Sequence, residues 1–308
     1  MTKKNLLKRI KHRIRPRWMS TLRRVAISRA KLASVSRQLG LRSIDGNPLR
    51  AVRSSDTLFI LGSGGSIATL TEDEWKAIRS ADSVGFNFWP IHDHVPDLYV
   101  TEICDVPAGQ EQNYQAYCDL MAARAADYAN TPILIKDGER VRREWLEAYI
   151  RNLPESLRHN IALSWDWEFP DNDEPGMVAT LRTWARYGLL DKSSAPLLRK
   201  RASVFYMVML GLRAGYREIV LCGVDLDNND YFYRIKEAEY LAKGRPVPQP
   251  VYATSVVHKT DNAGFGEMTL SRALAILDRE ILKPRGIQLK VALRSSRLYP
   301  MLPDHFGR

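Results

Sequence analysis

Four short stretches of this 308-residue chain combine side chains that could do chemistry. In VVHKTDN, Val256 to Asn262, His258 follows an apolar pair and precedes Lys259, Thr260 and Asp261. A neutral imidazole in that position can take a proton from a hydroxyl near neutral pH; it can equally be a structural histidine. The loop DLDNNDYFY, residues 225–233, holds Asp225, Asp227, Asp230, Tyr231 and Tyr233. Alternating carboxylates suit a divalent cation on a nucleotide diphosphate, or an Asx-rich turn with no ion. The two phenols could donate hydrogen bonds to a leaving phosphate.

The run GSGGS spans Gly62, Ser63, Gly64, Gly65 and Ser66. Three glycines let backbone N–H groups come close to a phosphate or nucleotide, and they also make an ordinary tight turn. Ile67 stands where a dinucleotide fingerprint needs its third small residue, and no Gly-Lys-Ser/Thr follows, so neither that motif nor a P-loop is present. VGFN ends in Asn87, whose amide can read a base edge or a sugar hydroxyl, or cap a turn. His92 and His94, in PIHDHVPD, lack a third ligand at metal spacing and read as surface or acceptor-groove residues. No metal site is assigned.

These stretches need elements to position them. TLFILG (57–62) reads as a buried strand running into GSGGS, so that loop falls at the carboxyl end of a first strand, where an open parallel sheet binds ligands. Thr71 and Glu74 form a capping box opening a helix over 72–80. Strands follow at 82–86, 97–101, 132–136, 161–165, 218–223 and 287–292, with helices at 112–128, 142–150, 175–187, 203–215 and 267–282. This alternation predicts an α/β fold, a mostly parallel sheet with helices on both faces. Residues 166–174 and 226–257 resist assignment; the second is long for a structureless loop and reads as a lid or binding segment.

Charge divides the chain at residue 53. Residues 1–53 carry 16 Lys and Arg against the single acid Asp45; the other 255 residues carry 30 basic and 34 acidic side chains. The basic balance therefore belongs to an N-terminal arm, and a body over 54–308 forms one domain. In the arm, Leu6, Leu7, Ile10 and Ile14 recur at helical spacing, with Trp18, Met19 and Leu22 beyond Pro16. That pattern suits a helix on an anionic membrane surface, in preference to nucleic acid. A solvated tail, or one packed on the body, is the plainer reading. No apolar run is long enough to span a bilayer. Cys104, Cys118 and Cys222 are too scattered for a disulfide framework or a zinc site, which fits a cytoplasmic protein peripheral to the inner membrane.

Taken in order, the motifs resemble those of the bacterial sialyltransferases of glycosyltransferase family 42. That family opens with a strand and a Gly-Asn-Gly-Pro-Ser loop, here GSGGS, and its next strand ends in Asn, here Asn87. SVFYM (203–207), GYREI (215–219) and GVD (223–225) follow at matching spacing, HKTDN (258–262) stands at its catalytic segment, and SSRLYPMLP (295–303) at its C-terminal stretch. The resemblance covers roughly 56–303. It implies the Rossmann-like GT-A variant with a lid, about 226–257, over a nucleotide-sugar site.

The implied reaction is inverting transfer of a 2-keto acid sugar (sialic acid, a related nonulosonic acid or Kdo) from CMP to a glycan or lipid-linked saccharide hydroxyl, with no cofactor or metal required. His258 would be the general base and Tyr233 a phenol on the departing phosphate. Arg201 and Ser203 would lie near the donor carboxylate or phosphate, and Ser63, Gly64 and Asn87 would hold the cytidylate. The remaining donor-site positions carried over are Gly62, Gly65, Ser66, Asp225, Asp227, Tyr231, Lys259 and Thr260. The sequence departs from the family at Ser63, Gly65, Asp227, Ala202 and Val204, and only Thr101 or Glu102 stands where the family has a further Asn. Two other readings are a metal-dependent pterin or nucleotide pyrophosphokinase, with magnesium on 225–230, and a non-catalytic nucleotide-binding module. A homo-oligomer is compatible with any of them.

Overall fold

The computed structural model describes residues 17–41, 48–102, 111–137, 143–169, 171–193, 195–226, 231–248, 258–262 and 268–308. Eight strands make one sheet: β1 (Thr57–Leu61), β2 (Asp82–Phe86), β3 (Leu98–Glu102), β4 (Ile133–Asp137), β5 (Ile161–Glu168), β6 (Leu197–Arg199), β7 (Glu218–Cys222) and β8 (Gln288–Val291). Their order is β6-β5-β4-β3-β2-β1-β7-β8, and every pairing is parallel. The chain steps outward from β1 to β6, then returns to lay β7 against the other side of β1. Strand order therefore reverses between β1 and β7, which is where an open α/β sheet leaves a crevice.

The return is made by the helix Ser203–Ala214, and its composition follows from that path. Every residue from Val204 to Ala214 is buried, because the helix lies between the sheet and an outer layer. A helix apolar on all faces has no solvent side. Leu58, Val84, Val100 and Leu134 pack beneath it, and Met177, Trp184 and Leu274 belong to the same core. Gly211 lets the helix sit close: a Cβ there would fall 2.9 Å from Leu58 and 3.0 Å from Ile219. Gly215, at φ 88°, ends the helix in a left-handed cap.

The opposite face is covered by Glu72–Arg79, Glu111–Ala123 and Arg143–Asn152, which supply Trp75, Leu120 and Tyr149 to a second core. The expected capping box is present: Thr71 N–H donates to Glu74 Oε2 at 2.7 Å, and Glu74 N–H to Thr71 Oγ1 at 3.4 Å. The α/β reading with a parallel sheet between helices is thus observed. Two strand assignments change. β5 runs on to Glu168, and a three-residue β6 pairs with its extension, Asp166 to Glu168 against Leu197 to Arg199.

Residues 17–38 form one helix, and its second half packs on the body through Leu32, Val35 and the following Leu39. Leu49, on the short helix Pro48–Val52, is fully buried. Leu6, Leu7, Ile10 and Ile14 lie outside the described residues. Within 226–257, residues 231–248 carry the helices Phe232–Ile235 and Glu237–Ala242; 227–230 and 249–257, the remaining stretches of the expected lid, lie outside the described residues. Among the described residues no helix is long and apolar enough to cross a membrane.

His92 and His94 are half-buried against the second core. The His92 ring stacks on Trp75 and Trp89 at 4.6 and 4.8 Å between centroids, and His94 Nε2 lies 3.2 Å from Ser83 Oγ. The 3-10 turn Trp89–Ile91 folds the segment back onto the aromatic core. Burial pushes His92 down to about 3 and His94 to about 4. Both are neutral in the folded protein and charge readily once it unfolds, so the unfolded state binds more protons below pH 6.5. Thermal midpoints should fall as pH drops from 6.5 towards 4, and the His92→Gln/His94→Gln variant should flatten that slope; an unchanged slope would assign the acid sensitivity elsewhere.

Candidate functional site

A cleft of about 350 Å³ opens over the carboxyl ends of the strands at the point of reversal, within the range of small-molecule sites. Its wall runs from Ser63 and Gly64 after β1, through Asn87 after β2 and Glu102 ending β3, to Asp225 and Leu226 after β7. Arg199, Arg201 and Ser203 close one side, and Tyr231, His258 and Thr260 another. Phe86, Val204, Val224 and Leu270 give it apolar surface.

The loops after β1 and β7 are bonded to each other. Gly62 N–H donates to the Cys222 carbonyl at 2.7 Å and Gly64 N–H to Gly223 at 2.8 Å. Asp225 accepts from Ser66 N–H at 2.9 Å and from the Ser66 hydroxyl at 2.6 Å. The glycines allow this approach: a Cβ at Gly62 would fall 2.5 Å from the Gly223 oxygen, and one at Gly64 2.4 Å from Asp225 Oδ2. Three of the loop's N–H groups are therefore spent on β7's loop, and Gly62, Gly65 and Ser66 stand behind the cleft wall, outside its lining.

His258 sits in a segment fastened on several sides. Its N–H donates to the Leu226 carbonyl at 3.2 Å. Arg201 donates to the Thr260 carbonyl at 3.4 Å and the Asn262 carbonyl at 3.2 Å, and Asp261 caps the next helix by accepting from Ser271 N–H at 3.0 Å. His258 Nδ1 lies 2.8 Å from Thr260 Oγ1 and accepts from Thr260 N–H at 3.3 Å, so the threonine fixes the ring. Lys259 contributes backbone to the 3-10 turn Lys259–Asp261.

Asn87, Arg201 and Leu226, the three non-glycine residues with positive φ among those described, all line this cleft, at φ 55°, 65° and 64°. Such backbone is sparsely populated for residues with a Cβ, and for leucine especially. Tyr99 O–H holds the Asn87 carbonyl, and the Leu226 carbonyl is held by His258.

Beneath the cleft lies a charged ladder that individual motifs do not reveal. Glu102, Lys136, Asp166 and Arg199 end or nearly end four adjacent strands. Lys136 Nζ donates to Glu102 Oε1 and, at 3.1 Å, to Ser203 Oγ, whose own hydroxyl donates to the same Glu102 oxygen. Asp166 lies 3.8 Å from Lys136 and accepts from Arg199 at 2.5 Å. Burial pushes the Glu102 carboxyl up, but Lys136 beside it and the hydrogen bonds from Lys136 and Ser203 prevail, and the net shift is downward. The signal in the sequence was a charge closing each apolar strand, as in LYVTE and ILIKD.

Of the expected residues, Ser63, Gly64, Asn87, Arg201, Ser203, Asp225, Tyr231, His258 and Thr260 line the one cleft. Tyr233 does not: its ring is buried, stacked on Tyr231 at 5.1 Å and facing Phe232 and Phe88, and burial raises its phenol. Helix Phe232–Ile235 turns Tyr231 to the cleft and Tyr233 to the core. Ser203 reaches the cleft with its hydroxyl already given to Glu102. Asp227 lies outside the described residues, among which no three His, Cys, Asp or Glu side chains gather as a metal-binding group.

No protein-family model matches the chain, and no curated protein sequence matches it.

Joining the two loops through backbone makes Gly62 a sensitive position. Gly62→Ala should cost about 1–3 kcal/mol in chemical denaturation, the range for forcing atoms into a packed site. A change within about 0.5 kcal/mol, the scale of ordinary surface substitutions, would show that the loops separate cheaply.

Proposed function

We propose that the cleft is the donor site of an inverting glycosyltransferase that moves a 2-keto acid sugar from CMP to a hydroxyl of a surface glycan or lipid-linked saccharide. The observation that carries this reading is the meeting of His258, Tyr231 and the Ser63–Gly64 turn in one cleft where strand order reverses. The order and spacing of GSGGS, Asn87, GYREI, GVD and HKTDN, which resemble the sialyltransferase family, support it further.

In this mechanism the His258 imidazole is the general base: Nδ1 accepts from Thr260 N–H at 3.3 Å in the structure, and the tautomer that takes a proton at Nε2 turns an Nδ1–H to Thr260 Oγ1 instead. The acceptor oxygen attacks the anomeric carbon as its proton passes to Nε2. The bond from that carbon to the phosphate oxygen breaks, and CMP leaves with the electron pair. Tyr231 takes the role of phenolic donor to the departing phosphate, because Tyr233 is turned into the core. Arg201 supplies positive charge beside His258 and balances the anionic donor. The Ser63–Gly64 turn and Asn87 border the nucleoside. CMP departs as a monophosphate dianion, which these donors can stabilise without a divalent ion.

The basic arm holds the enzyme at an anionic membrane surface in this reading. Arg23, Ile27 and Lys31 are exposed at helical spacing on Arg17–Gln38, a basic face with one apolar residue. Removing residues 1–16 should weaken binding to anionic vesicles and leave turnover of soluble substrates unchanged; equal vesicle binding by both forms would remove the arm from membrane attachment.

For the chemistry, His258→Ala should lower CMP-sugar turnover at least a hundredfold, the scale of lost general-base catalysis, while CMP still raises the thermal midpoint. Turnover in the wild type should persist in excess EDTA. Undiminished turnover in His258→Ala would remove the imidazole from the mechanism, and loss of activity in EDTA would favour a metal-dependent nucleotide transferase.

A further inference from the structure

Glu102 is a carboxylate at the carboxyl end of β3 that lines the cleft. Its two oxygens are in different states. Oε1 takes both Lys136 Nζ and the Ser203 hydroxyl. Oε2 makes no hydrogen bond among the described residues, and it is not one of their enclosed, unpartnered atoms. The side chain cannot turn away, because Lys136 is 4% exposed and pinned between Glu102 and Asp166, while Ser203 is fixed at the start of the buried crossover helix. An acceptor-only oxygen is thereby aimed at whatever fills the cleft.

We infer that Glu102 reads neutral hydroxyl groups of the bound ligand: Oε2 accepts from a sugar hydroxyl, and its charge keeps the ligand's anionic groups away from the β3 end of the cleft. The chemistry is directional. A carboxylate held ionised by Lys136 has no proton to share, so a second carboxylate or a phosphate placed against Oε2 meets repulsion and an unmatched acceptor. A hydroxyl placed there makes a charge-assisted bond, the stronger kind. An acidic side chain at a strand end serves a ribose in the same way in other doubly wound sheets.

The cleft thus has two unlike ends. At β3 sits an acceptor for sugar hydroxyls; beside His258, Arg201 reaches the Thr260 and Asn262 carbonyls, while Arg199, the other arginine of the lining, is paired with Asp166 and Glu168. Phosphate and sugar carboxylate belong near Arg201, and a polyhydroxy ring belongs near Glu102. The assignment uses the proposed occupancy of the cleft by a sugar nucleotide. The hydroxyls have two sources on such a ligand, the ribose and the transferred sugar.

Equilibrium binding to the full chain tests this, with CMP, 2′,3′-dideoxy-CMP, a CMP-activated 2-keto acid sugar, UMP, AMP and GMP as probes. Glu102→Gln should weaken the binding of at least one of them by about tenfold, the effect of a hydrogen bond to a charged group. If the ribose is the source, CMP weakens and the dideoxy analogue, already weak, changes no further. If the transferred sugar is the source, CMP binds both forms equally and the CMP-sugar alone weakens. Because Gln would leave Lys136 without its anion, Glu102→Gln/Lys136→Met serves as the paired variant; it should keep the fold by circular dichroism and show the same selective loss. Equal affinities of wild type and both variants for every bound probe would overturn the role of Glu102 and leave the transferase reading intact. Binding of UMP, AMP or GMP in place of CMP, with the tenfold loss, would keep Glu102 and remove the cytidylate reading. A wild type that binds no probe would overturn both.

Discussion

The molecule depends on the backbone seam between β1 and β7. These strands sit far apart in sequence, and all of β2 to β6 intervenes, yet they pair over five residues from Thr57↔Glu218 to Leu61↔Cys222. Beyond the last pair the seam continues as loop-to-loop hydrogen bonds, Gly62 to Cys222 and Gly64 to Gly223, and ends in Asp225 gripping Ser66. A crevice normally opens where strand order reverses, because the two connecting segments leave in opposite directions. Here the seam closes the floor of that crevice and displaces the opening sideways, towards β2, β3 and the end of β6. Asn87, Glu102 and Arg201 consequently face the same space as Ser63.

Strain concentrates around that space. Asn87, Arg201 and Leu226 each hold left-handed backbone and each is restrained: Asn87 by Tyr99 from β3, Arg201 and Leu226 by the 258–262 segment. Residues in that region cost of order 1–3 kcal/mol each and persist when their surroundings over-determine them. A sheet needs none of this to close its hydrophobic core. Turning three non-glycine residues towards one cleft has a cost in stability that packing does not explain, and it argues that the cleft, not the core, set those conformations.

Much of the fold was legible because it rests on local rules. Thr71 and Glu74 announce a capping box by type and spacing, TLFIL and EIVLC read as buried strands, and the all-apolar run from Val204 reads as a helix with no wet side. What was illegible rests on pairings between distant segments. LLR at 197–199 is a strand only because Asp166–Glu168 extends to meet it. Glu102 and Lys136 become neighbours only through the β3–β4 register, so neither residue signals a site by itself. GSGGS shows the same limit from the other side. Glycines that admit a close neighbour were plain in the sequence, but that the neighbour is the β7 loop's own backbone was not. Tyr231 and Tyr233 looked equivalent two positions apart; one helical turn beginning at Phe232 gives them opposite fates.

The charged ladder carries this reasoning one step further. Four side chains of charged type stand at the ends of β3 to β6, and burial of such groups carries a cost in desolvation. Replacing them with apolar residues of similar size would often be neutral or stabilising, so fold stability alone does not account for them. Their arrangement does one thing that apolar residues could not. Arg199 holds Asp166, Asp166 attracts Lys136, and Lys136 together with Ser203 holds one oxygen of Glu102. Asp166 Oδ1 stays buried without a hydrogen bond among the described residues, and the series ends at the cleft with one oxygen of Glu102 left over. A flexible surface glutamate would lose entropy whenever it bound a ligand; this one has already lost it on folding. The ladder is best understood as the support that keeps one acceptor rigid, charged and in place before any ligand arrives.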